Sequence, residues 1–401
     1  MIVPLFASLA VLLAAAGEAR PATRVVKRLD GSQITDEALT RRIEDLVKKA
    51  RVAGLAIAIF NDREPVYTRA FGVKRTDTKE PLRLDTVFYG ASLSKAVFGV
   101  LVMRLVEEGV IDLDTPLVTY LDKPVSAYEP SSRSAWHESH KDLADDKNLL
   151  KITARMCLDH TTGFPNWRWY EEDRKLRINF EPGTRYSYSG EGLTFLQVVL
   201  ERRTGRTLED LMREKIFGPY GMTMSSYTWQ PRFESNFCNG HDGAGTVLVK
   251  DKDNAARSAS TLETTAEDYE HFLRAVLQRQ GLKDSSWKEL FSTQIRIRSK
   301  AQFGPLARED GPWNDAIQLG YGLAWGVLQT PHGRAAFKEG HGDGFQHYSI
   351  LFPERGIGVL LMTNSDNGES TFKELLELTI ADIYTPWKWE NYVPYDQAGA
   401  R

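Results

Sequence analysis

The chain has 401 residues, of which 42% are hydrophobic and 26% are charged. These proportions are typical of a globular protein with a large core. The formal net charge of -3 gives no reason to expect a nucleic-acid partner. The length alone suggests two or three domains, but large α/β enzymes often run this long as one unit.

The first residues have the pattern of a secretory signal peptide. The apolar stretch from Ile2 to Ala16 is too short to span a bilayer, and small residues follow it. We therefore expect residues 1–19 to be a signal peptide, cleaved after Ala16 or Ala19, and the protein to be periplasmic or secreted. A misassigned start and a short anchor are the alternatives. Charge interrupts every later apolar run, so we expect no stable membrane span.

The N-terminal part of the mature chain predicts one helix followed by two strands. Residues 36–50 place their apolar side chains on one helical face, and Thr35 is a suitable N-cap. Residues 52–72 then read as two strands around a turn at Asn61–Glu64.

The C-terminal part mirrors this arrangement. Residues 333–340 and 345–364 read as strands, with a turn at Pro353–Gly356, and residues 371–384 read as an amphipathic helix. Between the two ends the chain is mostly helical, as in residues 264–277, which start with a capping-box-like Thr265.

This order predicts an α/β (α+β) fold in one domain spanning residues 20–401. An antiparallel sheet would combine strands from both termini, over about residues 35–90 and 300–385, and helices would flank it. Residues 91–299 would form an inserted, mostly helical lobe. We expect a cleft where the two lobes meet.

A serine and a lysine with helical spacing lie in the apolar segment 89–109. Ser92 and Lys95 are three residues apart and so lie one helical turn from each other, whereas Ser94 and Lys95 point about 100° apart. Ser92 would lie in the first turn, where free N–H groups favour negative charge. A serine becomes a nucleophile when a neighbouring group takes its proton, which for lysine requires a lowered pKa. The alternative is a buried helix capped by Ser92 or Ala91, with Lys95 reaching solvent.

Two further motifs follow in chain order. Tyr188-Ser189-Gly190 lies in the segment 181–192, and Lys338-Glu339-Gly340 lies on a predicted strand. With Ser92-Leu93-Ser94-Lys95, these resemble the S-x-x-K, Y-x-N and K-T-G or H-x-G motifs of the class C β-lactamase and penicillin-binding-protein superfamily of serine hydrolases, which includes β-lactamase-like carboxylesterases. The resemblance covers about residues 35–384, and it makes Lys338 rather than His341 the basic residue.

The resemblance implies a β-lactamase/transpeptidase-like fold and a set of roles. Ser92 would attack a carbonyl carbon and form an acyl-enzyme, and Lys95 and Tyr188 would form the proton relay. Tyr188 is a candidate base if two ammonium groups lower its pKa; otherwise it is a core aromatic residue. Lys338 would supply the second ammonium group and hold a substrate carboxylate. The backbone N–H groups of Ser92 and His341 would form the oxyanion hole. No cofactor and no metal are implied.

The chain departs from the family pattern at two substrate-binding positions. Gly190 replaces the asparagine that contacts the acylamino group of β-lactams, and Glu191 is a candidate to fill part of that space. Glu339 replaces the threonine of K-T-G. It would neutralise Lys338 if their side chains meet, and would have little effect if it points to the opposite face of the strand. Gly340 belongs to the same motif and is a further candidate substrate contact. These changes favour a neutral ester or amide substrate.

Three remaining features each have two interpretations. Trp167, Trp169 and Tyr170 would form an aromatic lip over the cleft or pack on the helical lobe, and Trp167 is a candidate substrate contact. His137 and His140 lack the spacing of a metal motif, so we expect a solvated loop. Cys157 and Cys238 would be free thiols or one disulfide, and free thiols are favoured.

The sequence thus predicts a serine acyl hydrolase that acts on an ester or small amide. A β-lactamase or D-Ala-D-Ala carboxypeptidase is the alternative with the same chemistry. A non-hydrolysing receptor that binds penicillin or another acyl ligand is the alternative of another class. The expected partner is a small ester, amide or lactam. The absence of a G-x-S-x-G motif disfavours an α/β-hydrolase.

Overall fold

The computed structural model describes residues 24–130, 137–252 and 254–397. The predicted signal peptide, residues 1–19, lies outside the described residues. Within the described ranges, no helix combines the length and the apolar character that a membrane crossing requires.

Strands occur at both ends of the chain, with one additional strand in between. They are β1 Val25–Lys27, β2 Gln33–Thr35, β3 Gly54–Asn61, β4 Glu64–Gly72, β5 Val87–Tyr89, β6 Glu263–Thr265, β7 Ile295–Arg296, β8 Gly320–Tyr321, β9 Gly326–Thr330, β10 Gly333–Gly342, β11 Phe345–Phe352 and β12 Ile357–Thr363. The predicted hairpins are confirmed as β3–β4 and β11–β12. Asp62 and Arg63 both have positive φ angles, 53° and 67°, which suits the tight β3–β4 turn.

Helices fill the middle of the chain and flank the strands. They are α1 Asp36–Lys49, α2 Leu93–Glu107, α3 Ala154–Leu158, α4 Gly190–Thr204, α5 Leu208–Met212, α6 Gly218–Tyr220, α7 Ala266–Leu277, α8 Asp284–Leu290 and α9 Phe372–Ile380. The predicted caps of α1 and α7 are confirmed, because the side chains of Thr35 and Thr265 accept hydrogen bonds from Ala38 N and Asp268 N. The predicted helix over 371–384 is too long: α9 ends at Ile380, and the next residue, Ala381, has a left-handed φ of 57°.

The predicted sheet from both termini is confirmed. Within the described ranges, eight strands form one antiparallel sheet in the order β4-β3-β12-β11-β10-β9-β8-β7, so the C-terminal β12 pairs with the N-terminal β3. Successive residues of β3 alternate between two cores. Ala56, Ala58 and Phe60 pack with α2 on one face, and Leu55, Ile57 and Ile59 pack with α1 and α9 on the other.

The pairing between β9 and β10 stops halfway along β10. It runs from Gly333 to Phe337, whereas β10 continues to Gly342 in its pairing with β11. Residues 338–342 therefore form an open strand edge, and it faces the helical part of the chain. The space beside residues 338–342 lies between the two predicted lobes and has room for a ligand.

Of two sequence-based expectations about buried or exposed side chains, the structure contradicts one and agrees with the other. His137 and His140 are buried, at 2% and 0% exposure, so the predicted solvated loop is wrong. The His140 ring packs edge-on against Phe195 at 5.1 Å, which explains its burial. Cys157 and Cys238 are both buried and free, as favoured. Within the described ranges, no group of His, Cys, Asp and Glu side chains is placed to hold a metal ion.

Candidate active site

Ser92 lies at the N-terminus of α2, directly after a backbone kink. Ala91 has a φ of 46°, a left-handed conformation that costs an alanine about 1 kcal/mol. This kink is followed by a helix in which every residue from Leu93 to Met103 is buried. Ser92 N–H belongs to the first turn of α2, where backbone N–H groups have no acceptor within the helix.

The structure separates the two serines of the motif. The Ser94 hydroxyl donates to Ala91 O and accepts from Leu262 N–H at 3.1 Å, so it ties the start of α2 to the segment before β6. Ser92 instead lies beside Lys95, with Lys95 Nζ 2.9 Å from Ser92 Oγ. Ser92, rather than Ser94, can therefore share a proton with Lys95, as the spacing of the two residues predicts.

Lys95 is fully buried and does not reach solvent. Its Nζ also donates to Ala259 O at 2.8 Å and lies 4.8 Å from the ring centre of Tyr188. Burial is the main cause that lowers the pKa of Lys95 well below its usual range, and the ammonium group of Lys338 lowers it further. These surroundings favour an amine that can accept a proton.

Tyr188 and Lys338 form the second half of the cluster. Lys338 Nζ donates to Tyr188 Oη at 3.0 Å and lies 5.0 Å from the centre of the ring. Tyr188 precedes α4 directly, and Lys338 is the first residue of the open edge of β10. Three distant segments thus bring Ser92, Lys95, Tyr188 and Lys338 together.

Glu339 pairs with Lys338 inside the protein. Glu339 Oε1 accepts from Lys338 Nζ at 2.9 Å and from Gln302 Nε2 at 3.0 Å, and both charged side chains are at most 2% exposed. Burial raises the pKa of Glu339, but the attraction to Lys338 outweighs burial and leaves that pKa below its usual value. Of the two orientations that the sequence left open, the side chains therefore adopt the one in which they meet.

Burial and the nearby carboxylate both act on the pKa of Tyr188. Burial and then the negative charge of Glu339 raise the pKa of Tyr188 well above its usual value. The condition under which Tyr188 would be the base, a pKa lowered by two ammonium groups, is not met, because burial and then Glu339 raise that pKa. Tyr188 therefore keeps its proton, and Lys95 is the better candidate base.

The backbone of His341 points into the gap beside β10. Lys338 O accepts from Ser349 Oγ on β11 at 3.3 Å, so Lys338 directs its carbonyl towards β11. Because backbone directions alternate along an antiparallel strand, the N–H of His341 points away from β11 to the open side. The side chain of His341 is partly exposed and lies 3.4 Å from Glu369. Burial opposes its protonation, but Glu369 raises the pKa of His341 above its usual value.

Gly340 allows β10 to approach the turn before α2. A Cβ atom at this position would lie 3.0 Å from Gly90 O and 3.2 Å from Leu93 N. Gly340, which was predicted to bind substrate, is therefore packed against backbone, and its lack of a Cβ atom allows β10 to come close to the start of α2.

Trp167 fills the space next to Gly190. A Cβ atom on Gly190 would lie 2.4 Å from Trp167 Cη2. The indole stacks on Trp169 at 4.5 Å, and Lys95 Nζ lies 5.7 Å from the Trp167 ring. The family's asparagine position is thus occupied by an aromatic ring from a neighbouring loop.

Glu191 does not fill that space, which corrects the sequence-based suggestion. It is fully buried and forms two charge-assisted hydrogen bonds with Arg168, from Nε at 2.8 Å and from Nη2 at 2.7 Å. Arg168 N–H donates to the same carboxylate at 2.9 Å. This ion pair anchors the loop that carries Trp167 to the start of α4.

The cleft in front of Ser92 has a volume of about 310 Å³. Its walls include the aromatic residues Tyr89, Trp167, Trp169, Tyr170 and Phe345. Trp169 and Tyr170 are 38% and 73% exposed, so they form the lip that the sequence suggested, while Trp167 packs inside it. Ala259 O, Gln302 and Arg168 were not identified from the sequence, because none of them lies in a recognisable motif.

Comparisons with known proteins place the chain among proteins of this kind. A family model described as Beta-lactamase matches residues 39–381. The lovastatin esterase of Penicillium rubens is 30% identical over 303 residues, which cover 64% of this chain and 74% of the esterase. The D-alanyl-D-alanine-carboxypeptidase/endopeptidase AmpH of Escherichia coli K12 is 24% identical, over 82% of this chain and 84% of AmpH.

The fold is also found among solved structures. The octameric penicillin-binding protein homologue from Pyrococcus abyssi superposes with a TM-score of 0.67, over 88% of this chain and 79% of that one, at 18% identity. This likeness confirms the predicted β-lactamase/penicillin-binding-protein fold.

The contact between Gly190 and Trp167 generates a test. We expect Gly190→Asn to lower the free energy of unfolding by about 1–3 kcal/mol, because the new side chain overlaps the indole. Trp167→Ala in the same chain should remove this penalty, so the two substitutions should be non-additive in a denaturant-unfolding cycle. Gly192→Asn, at the next glycine of α4, serves as a control that Trp167→Ala does not rescue. Additive effects of Gly190→Asn and Trp167→Ala would contradict the assigned contact.

Proposed function

Because the chain belongs to the beta-lactamase family, we propose that it is a serine acyl hydrolase that cleaves a neutral ester, or a small amide, through an acyl-enzyme on Ser92. The observation that carries this proposal is the 2.9 Å contact between Ser92 Oγ and the buried amine of Lys95. The similarity to the lovastatin esterase supports ester hydrolysis.

The first step is the attack of Ser92 on the substrate carbonyl. Lys95 Nζ, whose pKa is low, accepts the hydroxyl proton while Oγ forms a bond to the carbonyl carbon. The carbonyl oxygen becomes an oxyanion, and the N–H groups of Ser92 and His341 stabilise it. The former carbonyl carbon is then tetrahedral and covalently bonded to Ser92 Oγ.

The second step is the departure of the alcohol. Lys338 donates to the oxygen of Tyr188, so the phenolic proton is free to point towards the reacting atoms. This proton passes to the leaving alkoxide as the C–O bond breaks, and the protonated Lys95 returns a proton to Tyr188. Water then attacks the acyl-enzyme by the same route in reverse, and it releases the acid and restores the Ser92 hydroxyl.

Two features of the site support a substrate without a carboxylate. Glu339 already pairs with Lys338, so a substrate carboxylate would compete with a buried ion pair. Trp167 occupies the place where an asparagine would bind an acylamino group. Both features weaken the recognition of penicillins and D-Ala-D-Ala peptides and leave ester chemistry intact.

A carboxypeptidase is the second candidate function, and the similarity to AmpH supports it. A receptor that traps an acyl ligand without turnover is a third possibility, which the intact set of Ser92, Lys95 and Tyr188 argues against. The three alternatives differ in whether an ester, a D-Ala-D-Ala peptide or neither is turned over.

Substitution of Ser92 tests the nucleophile. We expect Ser92→Ala to lower kcat for p-nitrophenyl butyrate by about 10³-fold or more, because it removes the hydroxyl that is hydrogen-bonded to Lys95. Mass spectrometry of the quenched wild type should locate the butyryl group on Ser92. In Ser94→Ala the adduct should still form on Ser92. Full activity of Ser92→Ala would refute the scheme, and a stable adduct without turnover would indicate a receptor.

Substitution of Glu339 tests substrate selection. We expect Glu339→Gln to raise the ratio of kcat/KM for p-nitrophenyl hydrogen succinate over p-nitrophenyl butyrate by about tenfold, since Lys338 becomes available to the substrate carboxylate. Glu369→Gln removes a carboxylate that contacts His341 instead, and it should leave the ratio unchanged. An unchanged ratio in Glu339→Gln would mean that the ion pair does not set this preference.

The pH dependence tests Lys95 as the base. Activity should fall on the acid side, where Lys95 becomes protonated. Lys338 lowers the pKa of Lys95, and its removal should therefore raise that pKa. We expect Lys338→Met to shift the acid limb of kcat/KM for p-nitrophenyl butyrate to higher pH. Lys338→Arg, which keeps the charge, should shift it less, and a shift to lower pH in Lys338→Met would contradict Lys95 as the base.

A further inference from the structure

His160 contacts Tyr188 and the backbone on both sides of it. The carbonyl of His160 accepts from Ser187 N–H at 2.8 Å, and its Nδ1 accepts from Ser189 N–H at 3.1 Å. The imidazole lies over the Tyr188 ring, with 4.4 Å between ring centres and 33° between planes. Thus a single residue binds the residues before and after Tyr188 and covers its ring.

We propose that His160 is a positioning residue that holds the Tyr188 hydroxyl in line with Lys338 and the leaving group. The two backbone contacts fix the direction of the Cα–Cβ bond of Tyr188, because they hold residues 187 and 189 together. The ring contact then limits rotation of the phenol about its own side-chain bonds. The remaining freedom of the hydroxyl is removed by Lys338, 3.0 Å away.

The contacts require one particular form of the imidazole. Nδ1 accepts a hydrogen bond, so the proton of the neutral ring is on Nε2. The ring is fully buried, and burial together with Lys95 and Lys338 lowers the pKa of His160 well below its usual value. A protonated ring would lose the acceptor at Nδ1 and add a positive charge near two others.

The backbone of His160 is also unusual. Its φ is 62°, a left-handed value that asparagine adopts more readily than most residues. Asparagine also places its side-chain oxygen near the position of Nδ1, whereas glutamine reaches towards the position of Nε2. The pair His160→Asn and His160→Gln therefore separates the acceptor for Ser189 N–H from mere filling of space.

This inference rests on the proposed function, in which Tyr188 protonates the leaving group. An alkoxide needs that proton, whereas p-nitrophenolate leaves without it. Loss of Tyr188 alignment should therefore slow methyl butyrate much more than p-nitrophenyl butyrate. A general disturbance of the fold or of Ser92 would slow both esters alike, so the comparison separates positioning from stability.

The experiment measures kcat and KM for both esters in His160→Gln and His160→Asn, with thermal unfolding as a check of folding. We expect His160→Gln to lower kcat/KM for methyl butyrate by about 10–100-fold and kcat/KM for p-nitrophenyl butyrate by less than about threefold. The ratio kcat/KM reports the acylation step, in which the two leaving groups differ, whereas both esters share the same butyryl-enzyme. His160→Asn should stay within about fivefold of wild type. His140→Asn, at a buried histidine that packs on Phe195, should leave both rates unchanged.

The Tyr188→Phe background completes the test. Because His160 acts through Tyr188, His160→Gln should cause no further loss in that background. An additive loss, or equal losses for both esters, would overturn the inference. If His160→Gln does not fold, His160→Phe replaces it, since it keeps a ring over Tyr188 without the acceptor. A Tyr188→Phe enzyme that hydrolyses methyl butyrate normally would instead refute the proposed role of Tyr188 itself.

Discussion

The burial of Lys95 beside Ser92 is the interaction on which the rest of the site depends. A lysine with no access to solvent favours the neutral amine, and the second ammonium group, Lys338, strengthens that preference. The amine donates to Ala259 O at 2.8 Å, which leaves its lone pair for the Ser92 proton. The cost of burying this nitrogen is acceptable because it is hydrogen-bonded and does not need to carry a charge.

This arrangement needs a carboxylate to balance Lys338, and the chain supplies Glu339. The ion pair lets Lys338 remain buried. Burial of Tyr188, together with the negative charge of Glu339, raises the pKa of Tyr188 and keeps its proton in place. In the proposed mechanism Lys95 is therefore the base and Tyr188 the acid. Because Lys338 is already paired with Glu339, it is less available to hold a substrate carboxylate. A single substitution in the K-T-G motif thus connects proton transfer with substrate selection.

The fold could be predicted from the sequence, and so could the four side chains that the structure brings together, because each lies in a short motif or a periodic segment. Spacing alone favoured Ser92 over Ser94, and the order of strands and helices indicated a sheet built from both termini. The side-chain direction of Glu339 could not be predicted. Alternation along a strand would place this side chain on the face opposite to Lys338, whereas in the structure the two side chains meet. Glu191 was misplaced for a related reason: its partner, Arg168, lies in a loop whose path no local pattern determines.

Trp167 takes the space that is left because Gly190 has no side chain. Gly190 leaves a space that a loop residue can enter only if the loop is held close to α4. The buried pair of Arg168 and Glu191 holds it there, with three hydrogen bonds to one carboxylate. Removing one partner of such a pair leaves a buried charge without compensation, which costs about 3–5 kcal/mol. The pair therefore holds the loop against α4, and Trp167 forms part of the wall of the cleft. Gly190 thus lacks the asparagine side chain of the family motif, and Trp167 supplies an aromatic, apolar surface in its place. This surface suits the hydrocarbon part of an ester.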